Sequence, residues 1–356
     1  MVGDPRPIQH DVKFFEKGDK PLEIVSTRQW YIRNGGRDED LRNELVKKGK
    51  DLAFHPDFMR VRYENWVNGL TGDWLISRQR FFGVPIPVWY ELDANGEANY
   101  DAPLVPDEAL LPIDPSTDVP AGFIEAQRGA AGGFIGEMDI MDTWATSSLT
   151  PQIAGRWAED DELWNLVFPY SLRSQGQDII RTWLFSTVLR AELEHGQSPW
   201  ENAGISGFIV DPDRKKMSKS KGNVVTPQGM LDEHGSDAVR YWSASSRLDT
   251  DAAFDPENPK QIKIGRRLAI KVLNAAKFVY SFPHTEGAKV TEPLDIDLLR
   301  RLADVVRIAT ESYDQFDHAR ALEVTEQFFW TFTDDYLELV KERAYRDSSP
   351  EQASAV

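Results

Sequence analysis

The chain contains no cysteine. That absence excludes disulfides, thiolate zinc sites, iron–sulfur clusters and a cysteine nucleophile. Histidine is sparse too: His10, His55, His195, His234, His284 and His318 are scattered and never stand at metal-ligand spacing. No apolar run reaches the roughly 18 residues a membrane span needs, and the opening Met1-Val2-Gly3-Asp4-Pro5 lacks a signal-peptide pattern. A cytoplasmic setting is expected. Basic residues are outnumbered, 41 to 58, giving a net charge of −17; bulk repulsion then opposes a protein that coats nucleic acid nonspecifically. What is present is ordinary for a globular chain. Hydrophobic residues make up 41% and charged residues 28% of the 356 positions. That length suffices for a sizeable core and about two or three domains.

The distribution of charge says more than its sum. Between Glu91 and Asp142 stand twelve acidic residues against the single base Arg128, among many Pro and Gly. This reads as an irregular insertion or lid and a poor surface for phosphate. Arg28 to Arg80 carries eleven basic and eight acidic residues. Arg214, Lys215, Lys216, Lys219 and Lys221 face only Asp211 and Asp213, a second local excess of positive charge.

Periodicity divides the rest. Asp178 to Glu194 sets Ile180, Trp183, Leu184, Thr187, Val188 and Ala191 on one helical face. The turn Ser174-Gln175-Gly176-Gln177-Asp178 precedes it, and Asp178 alone reads as a helix N-cap. Ile205 to Val210 reads as a strand feeding the lysine-rich loop. Strand, helix, strand and loop in this order predict an α/β sheet. From about Ile262 the pattern becomes all-helical. Ile264, Leu268, Val272, Ala275 and Val279 form one amphipathic stripe, and helices are predicted over 298–312 and 319–346. In the last, Phe328, Phe329, Phe332, Tyr336, Leu339 and Val340 read as core packing.

The stretch with the most chemistry is Lys216-Met217-Ser218-Lys219-Ser220-Lys221-Gly222-Asn223. Two lysines three apart, spaced by small polar residues and followed by Gly, suit the stabilisation of phosphate oxygens that gain charge in a transition state. The bland alternative is a solvated basic turn. The stretch resembles the Lys-Met-Ser-Lys-Ser signature of class I aminoacyl-tRNA synthetases. Asp73 to Trp89, running through Ser77-Arg78-Gln79-Arg80-Phe81-Phe82-Gly83, and Asp139 to Ser148, with Asp142-Thr143-Trp144, resemble further segments of the valine, isoleucine and leucine enzymes. Within that group Asp142-Thr143-Trp144, Pro21 to Val25 with Arg28-Gln29-Trp30, and Lys263 to Leu268 are similar to the valine-type members; the isoleucine enzymes usually show Val-Trp-Phe at the first of these.

The resemblance implies an incomplete doubly wound, Rossmann-like α/β catalytic domain followed by a partial all-α bundle. Residues 1–25 would be the exit of an editing insertion. Residues 26–245 would form the second half of the catalytic domain, with 91–137 as the acidic insertion, and 246–356 the connecting segment and the start of the anticodon-binding helices. Gly176, Asp178, Met217, Ser218 and Lys219 would bind ATP, Lys216 and Lys219 would be catalytic, and Trp144 and Phe82 would line the amino-acid pocket. No protein metal site is implied; Mg2+ would accompany ATP. The implied partners are valine and tRNA(Val), and the implied reaction is formation of valyl-adenylate followed by transfer to the tRNA. The sequence departs from the pattern in three places: His-Ile-Gly-His is absent, Gln177 replaces a histidine or aromatic, and Phe82 replaces a tryptophan. The missing His-Ile-Gly-His signature, with no room for the main body of an editing domain, suggests a partial chain, in which half a parallel sheet would leave apolar faces uncovered and favour association. An isoleucine-type enzyme and a non-catalytic tRNA-binding module remain as alternatives.

Overall fold

The computed structural model describes residues 7, 9–14, 18–23, 25–218, 222–282, 287 and 289–345. The chain divides into two units, each discontinuous in sequence: Met1–Arg37 with Gly72–Thr146, and Asp38–Thr71 with Ser147–Val356.

Short antiparallel ladders build the first unit. Tyr31–Ile32 pairs with Trp74–Leu75, Ser77–Arg78 with Ile140–Met141, and Trp89–Glu91 with Phe134–Gly136. Frequent Pro and Gly keep these strands short, since the one lacks a ladder donor and the other a packing side chain. Ile86, Val88 and Tyr90 form the core, walled by Trp30, Ala98, Ile135 and Met141. The acidic stretch leaves on Trp89–Glu91 and returns on its partner Phe134–Gly136. Between them lie the 3-10 turns Glu108–Leu110 and Glu125–Gln127. Its one base, Arg128, is used internally, bonding the Glu125 carboxylate and the carbonyls of Pro115 and Asp118.

The second unit is organised by a parallel sheet in which Trp200–Ser206 lies between Ala53–His55 and Tyr170–Gly176. Helices connect and cover these strands, as parallel pairing requires. Glu39–Asp51 starts where the Asp38 carboxylate accepts from the Leu41 N–H, with acids in its first turn and lysines in its last. It packs on Arg60–Asn68 and Phe185–His195. Gly49 allows the approach, because a Cβ there would overlap the Tyr63 ring. Tyr63 in turn meets Phe54 of the sheet and Phe185. A sheet of this kind followed by helices is the expected fold class.

Around the sheet, two elements differ from the sequence reading. The strand expected over 205–210 runs from Trp200 to Ser206, and Ile209–Val210 belongs to a separate parallel ladder with Ala252–Ala253. The break falls at Gly207, where a Cβ would overlap the backbone of Thr250. Gly207→Ala is therefore expected to cost about 1–3 kcal/mol through overpacking. Gly204→Ala, whose Cβ would find its nearest neighbour at 3.7 Å, serves as the control. Urea melts of the two variants check this, and equal stabilities would contradict it.

The helix expected from Asp178 begins as a 3-10 turn over Gln177–Ile179, widens to a π segment over Ile180–Leu184 and becomes α only over Phe185–His195. Hydroxyls back-bonding to the helix coincide with the wide segment: Ser186 Oγ to the Thr182 carbonyl and Thr187 Oγ1 to that of Trp183, both 2.6 Å. All six residues of the expected apolar face are buried.

Further on, helices span Lys260–Val279, Pro293–Asp314, His318–Trp330 and Leu337–Tyr345, the last two joined by a π segment over Thr331–Tyr336. Gly265 lets the first approach Tyr241 of helix Ser236–Ala244. The expected stripe is only partly buried, since Ile262 and Gly265 face inward while Val272 is 47% exposed. Leu339 is likewise 69% exposed. The π segment advances the register, so that Leu337 joins Tyr336 and Val340 in the core instead. Among the described residues no helix is long and apolar enough to cross a membrane.

Candidate nucleotide site

The sheet brings two loops together by register. Gly176 ends one parallel strand directly opposite Ser206 at the end of its neighbour. The turn bearing Asp178 and the segment leading to the lysines thus leave the same carboxyl edge, where open α/β sheets bind ligands. Lys216 Nζ lies 3.3 Å from Asp178 Oδ2 and 4.2 Å from the centre of the Phe208 ring. The Lys216 and Asp178 side chains are 53% and 45% exposed. A pair so open to water contributes little stability and can exchange for a phosphate and a hydroxyl. Asp178 caps neither of the helical segments that follow, so the simple N-cap reading does not hold.

Gln175, which the sequence reading passed over, precedes Gly176 and is buried. Neither oxygen nor nitrogen of its amide has a hydrogen-bond partner. An orphaned buried amide is costly, and beside a strand-end glycine it marks a place a polar ligand could complete. Nothing in the sequence flags it, because any polar residue in a strand looks the same.

The lysine loop is tightly made at its base. Val210 and Lys216 form an antiparallel bridge across a turn in which Arg214 takes a φ of 62°, a conformation uncommon for a residue with a side chain. Asp211 is buried, and its Oδ1 accepts from the Lys215 N–H at 2.7 Å. Hydrogen bonds from the Asn223 amide and the Lys215 N–H hold its carboxyl below the usual carboxylate range. Met217, expected at ATP, packs its side chain against a cluster formed by Met230, Ala238, Phe254 and Ile262. The Ser218 N–H donates to Asn223 Oδ1 at 2.9 Å. Lys219, with Ser220 and Lys221, lies outside the described residues.

In the other unit, Arg78 holds the buried Asp142 through a 2.6 Å ion pair. Asp142 accepts from the Trp144 N–H at 3.1 Å and so starts the short helix Thr143–Ser147. Phe82, expected at the amino-acid pocket, is 86% exposed and edge-on to Phe81. Nearby, burial alone would raise the Glu137 carboxyl, but hydrogen bonds from the Tyr90 hydroxyl, the Asp139 N–H and the Trp30 indole outweigh it and keep the group ionised below its usual range.

Comparisons with known proteins bear on these arrangements. A family model described as tRNA synthetases class I (I, L, M and V) matches residues 9–255, and one described as the anticodon-binding domain of tRNA ligase matches 295–356. The valine–tRNA ligase of Leifsonia xyli subsp. xyli is 70% identical over 359 residues, spanning 100% of this chain and 42% of the relative. That of Thermobifida fusca is 64% identical over 359 residues, spanning 100% and 40%. The chain thus covers about two-fifths of the length of these relatives. Among solved structures, Mycobacterium tuberculosis methionyl-tRNA synthetase in complex with methionyl-adenylate superposes with a TM-score of 0.60 at 19% identity, over 96% of this chain and 58% of that one. The LeuRS–tRNA–LeuAMS ternary complex of Agrobacterium radiobacter K84 gives 0.58 at 20% identity, over 80% and 37%. These last two likenesses speak for the fold alone. With the family match extending over most of its length, the chain belongs to the class I tRNA synthetases of the I, L, M and V group.

Proposed function

We propose that this chain is the portion of a cytoplasmic valine–tRNA ligase that binds ATP and carries its signature lysines. The observation that carries the reading is the Lys216–Asp178 pair at the carboxyl edge of the sheet, in a chain 70% identical throughout to a valine–tRNA ligase. On this reading residues 1–25, 26–245 and 246–356 are the editing exit, the second half of the catalytic domain with its 91–137 insertion, and the connecting segment with the first anticodon-binding helices.

The residues present fit ATP. Gly176 bears no side chain that would hinder its approach. Asp178 can accept ribose hydroxyl hydrogen bonds, the Gln175 amide needs a partner, and Lys216 supplies a cation for phosphate. Among the described residues no cluster of three or more His, Asp or Glu could hold a metal; Mg2+ would arrive on the nucleotide, neutralising its phosphates. A valine carboxylate oxygen attacks the α-phosphorus, the bond to the bridging oxygen breaks, and pyrophosphate leaves. Lys216 and Lys219 stabilise the charge that collects on the departing oxygens. The terminal ribose hydroxyl of tRNA(Val) then attacks the valyl carbonyl and displaces AMP. Catalysis of this kind is mostly positioning, so no side-chain base is required. Trp144 and Phe82 contribute to the amino-acid pocket, Trp144 oriented through Asp142 and Arg78. An apolar pocket cannot strongly reject threonine, valine's isostere, a limit already established for valine-activating enzymes as a group.

If ATP completes the Gln175 amide, Gln175→Leu should leave the ligand-free chain as stable as before or more so, while weakening ATP binding by about tenfold. Calorimetric titration with Mg·ATP and thermal melts read the two effects. A variant that is destabilised yet binds ATP normally would show the amide to be structural. The choice of amino acid is tested by ATP–pyrophosphate exchange in a full-length protein carrying this sequence. Exchange driven by valine over isoleucine supports the reading, and the reverse order would replace it with the isoleucine enzyme.

A further inference from the structure

The lysine loop is closed at its base by a pair of side chains that bond to each other and to the loop's own backbone. Asn223 Nδ2 donates to Asp211 Oδ2 at 2.8 Å and to the Lys216 carbonyl at 3.3 Å, while its Oδ1 accepts from the Ser218 N–H. The other oxygen of Asp211 is held by the Lys215 N–H, and the Asp211 N–H donates to the Lys215 carbonyl. A single buried carboxylate and a single amide therefore fix the backbone on both sides of Lys216. They also join the two ends of a segment with five cationic side chains, Arg214, Lys215, Lys216, Lys219 and Lys221. Mutual repulsion among those cations would spread the segment if its ends were free. Within that segment Lys215 pairs with Asp213 and Lys216 with Asp178.

We propose that Asp211 and Asn223 form a latch that positions the cationic loop, holding Lys216 in line with the strand end so that its ammonium reaches the nucleotide. Both are positioning residues. The latch supplies order before the reaction rather than charge during it. The expected signature is thus a loss of turnover without loss of substrate affinity, since a displacement of about 1 Å at a catalytic group can cost about a hundredfold in rate. This rests on the reading of the loop as a phosphate-binding element.

The test compares wild type, Asn223→Asp, which sets two carboxylates against each other, and the exchanged pair Asp211→Asn with Asn223→Asp, which restores one donor and one acceptor. Limited trypsin digestion of this chain without nucleotide reads loop order directly, because the loop's Arg and Lys residues are the cleavage sites. Asn223→Asp should be cut about tenfold faster between Arg214 and Lys221, with the exchanged pair returning towards wild type. In a full-length protein carrying this sequence, kcat for ATP–pyrophosphate exchange should fall at least about tenfold while KM for ATP and valine stays within about twofold, again with recovery in the exchanged pair. Unchanged cleavage in Asn223→Asp, or an exchanged pair no better than the single variant, overturns the latch. A wild-type protein without exchange activity would overturn the functional reading instead, and the digestion arm would still decide the latch.

Discussion

Lys216→Ala, in a full-length protein carrying this sequence, is expected to slow valine-dependent ATP–pyrophosphate exchange by about two to three orders of magnitude. The size follows from when the ammonium acts. With no ligand bound it rests on the half-exposed Asp178 carboxylate, an interaction that contributes little to stability. It becomes valuable only as negative charge accumulates on the pyrophosphate leaving group. The loss should therefore fall on kcat, with KM for ATP and valine changing only a few-fold. Asp178→Asn should behave in the opposite way, raising KM for ATP more than it lowers kcat, because a ribose contact is made equally in ground and transition states. Lys219→Ala is expected to cost two or more orders of magnitude like Lys216→Ala, and the double variant less than the product of the two, as groups acting on one charge are not additive. Near-normal exchange in Lys216→Ala would refute the role assigned to the loop.

The second large effect lies far from the chemistry in sequence. Asp295, in the first turn of helix Pro293–Asp314, is 2% exposed. It accepts two bonds from the Arg343 guanidinium, at 2.9 and 2.6 Å, and one from the Tyr336 hydroxyl at 2.9 Å. Burial, the Asp295 hydrogen bond and its negative charge together push the Tyr336 hydroxyl well above its ordinary range. Removing Arg343, whose own side chain is 24% exposed, would strand the Asp295 carboxylate, which has already been taken from water. Arg343→Met is therefore expected to destabilise this helical region by about 3 kcal/mol. Hydrogen exchange would show it as a roughly hundredfold loss of protection in Pro293–Asp314 and Leu337–Tyr345. Unchanged protection in both helices would contradict it.

How much of this was readable in the sequence depended on whether the information was local. The lysine stretch was, because it resembles a signature of the family to which the chain belongs. So was the buried face from Ile180 to Ala191, whose periodicity survives the irregular start of its helix. The face carrying Leu339 was misread because six residues of π geometry intervene, and a fixed 3.6-residue period cannot anticipate them. The strand break at Gly207 depends on where Thr250 passes, and the Asp295–Arg343 pair spans 48 positions. Gln175 and Asp211 are ordinary polar residues until burial and hydrogen bonding single them out. Residues 38–71 fold with a unit whose remainder begins at Ser147, a long-range arrangement that no window of sequence contains.

The central claim is that this chain holds the ATP-facing residues of a valine–tRNA ligase. It is tested most directly by valine-dependent ATP–pyrophosphate exchange with this chain alone and again with the remainder of a valine–tRNA ligase supplied in trans. The account predicts exchange that appears on complementation and is abolished by Lys216→Ala in this chain. No exchange in either case, with tRNA binding retained, would contradict it and favour a non-catalytic tRNA-binding module.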